Sequence, residues 1–249
     1  MTLLKKIYAA YGLVVFLLLF ILFFFLLLIP ILFPKHFRLI GIFNRWWAKS
    51  IFFFCGLPFR VEYRSNLDPS KQYIFCPNHF SYLDIVAMGL NRHNTIFVGK
   101  NDMEGIPLFG FMYRKLHITV DRGRLKSRYS TMLKTMQALD EGKSLVIFPE
   151  GGIVAEHEPV MGPFKNGAFR ASIEKQIPIV PVTIPYNWII LPSHQWQVSW
   201  RKLKVIFHEP IDPAQYMNDM DAYKHHVRSV INAELQRSLK YENRKGSFV

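Results

Sequence analysis

The chain has 249 residues, half of them hydrophobic with 22 Phe, and carries 31 Lys and Arg against 18 Asp and Glu, a formal charge of +13. That length allows one substantial core with an appendage, and the apolar content excludes a disordered polycation. An excess of positive charge points to nucleic acid, anionic lipid headgroups or an acidic protein as partner.

The N-terminus favours lipid. No charged residue occurs within 7–34, and 12–29 is almost solid Leu, Phe, Ile and Val. At about 1.5 Å per residue such a run is long enough to cross a hydrocarbon core. Lys5 and Lys6 precede it and Lys35, His36 and Arg38 follow it, so charge bias gives no orientation. The apolar run exceeds a signal-peptide core, and Pro30, Pro34 and basic residues stand where a small-residue cleavage site would be, so the segment reads as an anchor. Residues 36–56 mix Phe37, Phe43, Trp46, Trp47 and 51–54 with Arg38, Arg45 and Lys49. That pattern fits an interfacial helix or a helix packed on the globular part. Spanning and insertion of a two-helix hairpin into one leaflet both remain open, with the aromatic second helix tilting the reading to one leaflet. The anchor takes 1–57 and the globular domain 58–249.

After Pro58 the texture changes. Strands are predicted at 59–63, 72–76, 95–98, 117–120, 144–148, 179–184 and 203–208, with helices at 82–90, 124–139, 164–175 and 213–240. Strands alternating with helices predict an α/β fold, a mostly parallel sheet with helices on both faces. Pro181 within its strand predicts an edge, a bulge or a pocket wall. Cys55 and Cys76 have neither metal nor disulfide spacing and read as reduced, structural residues.

The stretch Cys76-Pro77-Asn78-His79-Phe80-Ser81-Tyr82-Leu83-Asp84 joins a strand to a helix. There an α/β sheet presents reactive side chains, and Asp84 lies about one helical turn inside, able to reach back to His79. An imidazole oriented by a carboxylate is a general base; read alone, Ser81 or Asp84 equally fits a helix cap. Two later strands end in charged residues: 117–120 leads to Arg122, and 145–148 to Pro149-Glu150-Gly151-Gly152. An arginine there can grip phosphate with two parallel hydrogen bonds, and glycines let backbone approach a ligand. The sequence holds no Gly-x-Ser-x-Gly elbow, no metal-ligand spacing and no nucleotide-type Gly-rich loop.

In order along residues 73–185, these blocks resemble the glycerolipid acyltransferase family of the lysophosphatidic acid (1-acylglycerol-3-phosphate) acyltransferase type. Asn78, His79 and Asp84 match its Asn-His-x-x-x-x-Asp block; Gly99, Lys100, Ile106, Pro107, Gly110 and Arg122 match its second block. Residues 148–151 match Phe-Pro-Glu-Gly, 164–167 the Phe-Lys-x-Gly stretch and 177–182 the proline-bearing strand. The resemblance implies acyl transfer from acyl-ACP or acyl-CoA to the hydroxyl of 1-acyl-sn-glycerol-3-phosphate, giving phosphatidic acid, with no cofactor. It implies His79 as general base oriented by Asp84, with Lys100, Arg122, Glu150, Gly151, Gly152 and Lys165 binding substrate. It also implies a place on the membrane, at the cytoplasmic face of the inner membrane, with membrane lipids rather than nucleic acid as partners. One departure stands out. The family commonly continues Phe-Pro-Glu-Gly-Thr-Arg-Ser, and this chain continues Gly152-Ile153-Val154. In the family that arginine is associated with the acceptor phosphate. Arg122, Lys100 and Lys165 are the cations left to compensate, and the alternative is another lyso-lipid acceptor, such as a lyso-aminoacid lipid.

Overall fold

In the computed structural model, residues 2–100, 104–120, 125–155, 157–195 and 197–244 are described. Two helices come first, α1 (Thr2–Leu32) and α2 (Leu39–Phe54), joined through a 3-10 turn at Pro34–His36. Then follow β1 (Phe59–Tyr63), β2 (Ile74–Pro77), α3 (Leu83–Met88), β3 (Thr95–Lys100), α4 (Phe109–Leu116) and β4 (Ile118–Val120). The rest is α5 (Leu125–Asp140), β5 (Ser144–Ile147), α6 (Gly167–Lys175), β6 (Ile179–Thr183), α7 (Asn187–Ile190), β7 (Leu203–Phe207) and α8 (Met220–Arg244).

The strands make one sheet in the order β1-β7-β6-β2-β5-β3-β4. The five from β6 to β4 are mutually parallel; β7 pairs antiparallel to β6, and β1 runs parallel with β7. Alternation along each strand divides the side chains between two apolar clusters. Phe75, Phe97, Val146 and Val180 face α1, α2, α3, α4 and α7, whereas Ile74, Ile96, Leu145 and Ile179 face α5, α6 and α8. Burial on both faces is why Leu145-Val146-Ile147 reads as an unbroken apolar run, the signature of a parallel strand.

Helices α1 and α2 share the first cluster with the sheet. The Tyr8 hydroxyl donates to the Cys55 carbonyl, and the Tyr11 hydroxyl to the Phe54 carbonyl at 2.9 Å. Farther along α1, Phe16 meets Trp47 edge-on at 5.5 Å, and Phe20 lies 5.5 Å from Phe109 of α4. One side of α1 is therefore core over much of its length. Its other side leaves Leu3, Ile7, Val14, Leu18, Leu22 and Phe25 exposed, as α2 leaves Trp46 and Phe53. An apolar surface of that extent needs lipid or protein cover. Among the described residues, α1 is the one helix long and apolar enough to cross a membrane.

Two features depart from the sequence expectations. Pro181 lies inside the sheet, with β6 between β7 and β2, and not at an edge. The odd residues of β6 turn their backbone toward β7, where the Pro181 carbonyl accepts from His208 N at 3.0 Å. The ladder breaks there between Thr183, paired with Ile206, and Ile179, paired with Ile211, so the missing N–H falls where β7 has already ended. Helix α4 is an element that the sequence reading did not predict, in a segment marked by Gly105, Pro107 and Gly110. Gly110 sits against the Glu104 carbonyl, and a Cβ there would overlap it, so this glycine permits a close approach and does not break the helix.

Candidate active site

Parallel strands deliver their carboxyl ends to one end of the sheet, the usual ligand site of an open α/β fold. The chain leaves β2 at Asn78 and His79, β5 at Phe148 to Glu150, and β6 at Ile184. Since β2 lies between β5 and β6, the sheet order alone brings His79 beside Glu150.

His79 Nδ1 lies 2.9 Å from Asp84 Oδ2, and the same oxygen accepts from Phe80 N at 2.9 Å and Ser81 N at 3.0 Å. Asp84 thus closes the turn before α3 and contacts the imidazole with the same atom. Its side chain is 0% exposed and that of His79 12%, so the carboxylate is sealed while the ring reaches the surface of the site. An acceptor at Nδ1 fixes the tautomer with its proton there and leaves Nε2 as the basic nitrogen. Phe148 stacks on the imidazole at 3.9 Å between ring centroids and restricts it from one side.

Glu150 is 1% exposed. Its Oε1 accepts from His79 N and its Oε2 from Gly162 N, each at 2.8 Å, so both oxygens are taken by backbone of the two loops it joins. Burial pushes its pKa up to about 7 against the pull of those two N–H groups. Gly162, which the motif reading passed over, lies close to Val154: a Cβ there would meet Val154 Cγ2 at 2.8 Å, and that side chain would have to move. Gly151 adopts φ 79°, a left-handed conformation suited to glycine, and donates its N–H to the Phe148 carbonyl at 3.0 Å. Gly152 follows in the same loop. Lys165 N donates to the Pro149 carbonyl at 2.7 Å, and the lysine chain lies over Gly151, with Cγ 3.4 Å from where a Cβ would stand. Lys100 ends β3, and Arg122 lies outside the described residues. Cys76 is buried in the second cluster, and burial pushes its thiol pKa upward, which leaves it no nucleophilic character.

Two cavities flank this turn. One of about 230 Å³ is almost wholly apolar and lies between α1 and the sheet domain, walled by Gly12, Phe16, Ile51, Leu83, Val86 and Ile190. Tyr82, Leu83 and Val86, from the segment that also carries Asp84, are among its walls. The other, about 710 Å³ and more polar, is lined by Val98, Val120, Thr135, Phe148, Gly151 and Lys165. Lys100 and Arg122 follow two of these lining residues, Val98 and Val120, by two positions in the sequence.

The residues from Ile184 to Leu191 also belong to the site, and no motif announces them. The Asn78 side chain donates to the Ile184 carbonyl at 3.1 Å and accepts from Ile184 N at 2.8 Å. Ser81 Oγ donates to the Leu191 carbonyl at 2.6 Å, and Asn187 Nδ2 donates to Asp84 Oδ1. The one signal in the sequence was a lone asparagine within the apolar run Ile184-Pro185-Tyr186-Asn187-Trp188-Ile189-Ile190.

Comparison with known proteins gives a consistent picture. A family model described as Acyltransferase matches residues 58–185. The 1-acyl-sn-glycerol-3-phosphate acyltransferase of Haemophilus influenzae is 29% identical over 213 residues, covering 82% of this chain and 86% of that protein. The 1-acyl-sn-glycerol-3-phosphate acyltransferase of Escherichia coli is 30% identical over 212 residues, with 81% of each chain covered. In fold, the chain is similar to the crystal structure of the 1-acyl-sn-glycerophosphate (LPA) acyltransferase from Thermotoga maritima, with a TM-score of 0.77 over 95% of each chain at 19% identity.

Proposed function

Because this chain belongs to the acyltransferase family, we propose that it transfers an acyl chain from acyl-ACP or acyl-CoA to the free hydroxyl of 1-acyl-sn-glycerol-3-phosphate, giving phosphatidic acid. The observation that carries the reading is the His79–Asp84 contact of 2.9 Å at the carboxyl end of the central strands, beside an apolar cavity. The names of the relatives from Haemophilus influenzae and Escherichia coli supply the acceptor.

In this reading His79 Nε2 takes the proton of the acceptor hydroxyl as its oxygen attacks the thioester carbonyl carbon. Asp84 holds the Nδ1 proton and stabilises the imidazolium that forms; base catalysis of this kind is worth about a hundred- to ten-thousand-fold. The tetrahedral oxyanion collapses, the C–S bond breaks, and the leaving thiolate takes the proton back from the imidazolium. The apolar cavity receives an acyl chain. The polar cavity receives the phosphate, with Lys100, Arg122 and Lys165 as its cations in place of the arginine that Ile153 replaces. Glu150 braces the His79 turn against the loop of Gly151, Gly152 and Gly162. Residues 1–57 act as the membrane anchor of a catalytic domain formed by 58–249. The anchor sits in one leaflet at the cytoplasmic face, with α1 against the domain on one side and lipid on the other.

Purified full-length protein, given labelled acyl-CoA or acyl-ACP with either lysophosphatidic acid or a lyso-aminoacid lipid, tests this reading. Labelled phosphatidic acid is the expected product. No product from lysophosphatidic acid, under conditions in which one of the bacterial relatives is active, overturns it.

A further inference from the structure

We propose that Asn187 is a positioning residue of the acyl transfer, acting on His79 through Asp84. The proposal rests on the reading of His79 and Asp84 as base and orienting carboxylate.

The two oxygens of Asp84 are held very unequally. Oδ2 accepts from His79 Nδ1, Phe80 N and Ser81 N, whereas the partner at Oδ1 is Asn187 Nδ2. With Asp84 fully buried, loss of that donor leaves an anionic oxygen out of reach of water. A buried charged acceptor without its donor is among the costlier defects a fold can carry. Rotation of the carboxylate, which would take Oδ2 off the imidazole and bring Oδ1 toward it, is resisted by the same bond. The imidazolium formed during turnover depends on Oδ2 staying in place, so the bond to Oδ1 bears on catalysis as well as on folding.

Asn187 itself is 0% exposed. Among the described residues, its Oδ1 has no hydrogen-bond partner. A buried amide that leaves its own carbonyl oxygen unsatisfied is uncommon in native structures and calls for a reason; here the reason is the donor it gives to Asp84. A capping role does not supply one, because Tyr186 occupies the N-cap of α7 and no side chain caps that helix. The neighbouring ties from Asn78 to Ile184 and from Ser81 to Leu191 hold the 184–191 segment against the turn. Of these three ties, the one from Asn187 reaches the dyad.

Asn187→Leu and Asn187→Asp in the full-length chain test this: both nearly keep the shape of the side chain, Leu removes the donor outright, and Asp makes it depend on a proton held between two carboxylates. Expected is a fall in kcat of about ten- to a hundredfold, with KM for acyl donor and acceptor within about twofold of wild type. In Asn187→Asp the acid limb of log kcat moves to higher pH, because two carboxylates in contact hold a shared proton. Wild-type kcat in Asn187→Leu overturns the proposal. So does a loss of kcat that merely tracks a loss of Tm, with the pH profile of Asn187→Asp unmoved. His79→Ala in the same assay separates the two levels: turnover surviving in that variant defeats the dyad reading itself, whereas an inactive His79→Ala beside a fully active Asn187→Leu defeats only the part given to Asn187.

Discussion

Replacing Glu150 by glutamine probes the brace between the histidine turn and the glycine loop. Burial moves the ionisation of this carboxyl from an ordinary 4.5 up to about 7 in the fold, so the folded chain binds the proton more tightly than the unfolded chain does. The stability tied to that proton is present at low pH, begins to fall once pH passes the unfolded value, and is lost by the time pH has risen through the folded one. The interval from 4.5 to about 7, at about 1.36 kcal/mol per pH unit, gives about 3 kcal/mol. A glutamine does not ionise and avoids this loss. Its NH2 instead confronts either His79 N or Gly162 N, a pH-independent cost of about 1–3 kcal/mol. The variant is therefore less stable than wild type at pH 4.5, and the gap closes or reverses at pH 8. For a chain of this size, 3 kcal/mol corresponds to roughly 6–12 °C in Tm. Thermal unfolding of both proteins in the same detergent at the two pH values checks it; a Tm gap that stays constant refutes the argument.

His79→Ala abolishes turnover and leaves membrane association intact, while Asp84→Asn lowers kcat by roughly a thousandfold or more; product formation and flotation with vesicles measure the two. Gly12→Leu, at a position where a Cβ meets nothing nearer than Cys55 Sγ at 3.9 Å, shortens the apolar cavity and shifts preference toward shorter acyl chains. Each methylene kept out costs about 0.8 kcal/mol, close to fourfold in kcat/KM per carbon, read from a series of donors of increasing length. Lys165→Ala and Arg122→Ala raise KM for lysophosphatidic acid more than KM for the thioester; an unchanged acceptor KM removes these residues from phosphate binding.

The sheet was legible because strands such as Leu145-Val146-Ile147 are buried on both faces and show it as continuous apolar runs. Local chemistry also placed His79 and Asp84, since the partners lie five residues apart. What escaped was non-local or short. Asn187 meets Asp84 across 103 residues, on a four-residue helix too brief to have a period of its own. The need for a glycine at position 110 of α4 shows only once the Glu104 carbonyl that it accommodates is in place. Pro181 reads as an edge, a bulge or a pocket wall; it is not at an edge, and the break in the β6–β7 pairing beside it depends on where β7 ends, which the sequence does not tell. The constraint on Gly162 comes from Val154 and Glu150, which only the folded loop brings to it.

The packing of α1 onto the sheet domain bears on how the chain is made. The helix is synthesised first, yet the residues that share its apolar cavity and its aromatic contacts, Leu83, Phe109, Ile190 and Val198, come much later. At about 5–20 residues per second the interval between Phe20 and Val198 is roughly 10–40 s. For that time the inner face of α1 has α2 as its partner, through contacts such as Phe16 with Trp47, but lacks the sheet domain, and a lipid leaflet is a solvent that can hold what α2 leaves bare. On the proposed anchor reading, the membrane serves the nascent chain before it serves the enzyme, holding the part of that face that α2 does not cover until the sheet arrives to dock on it.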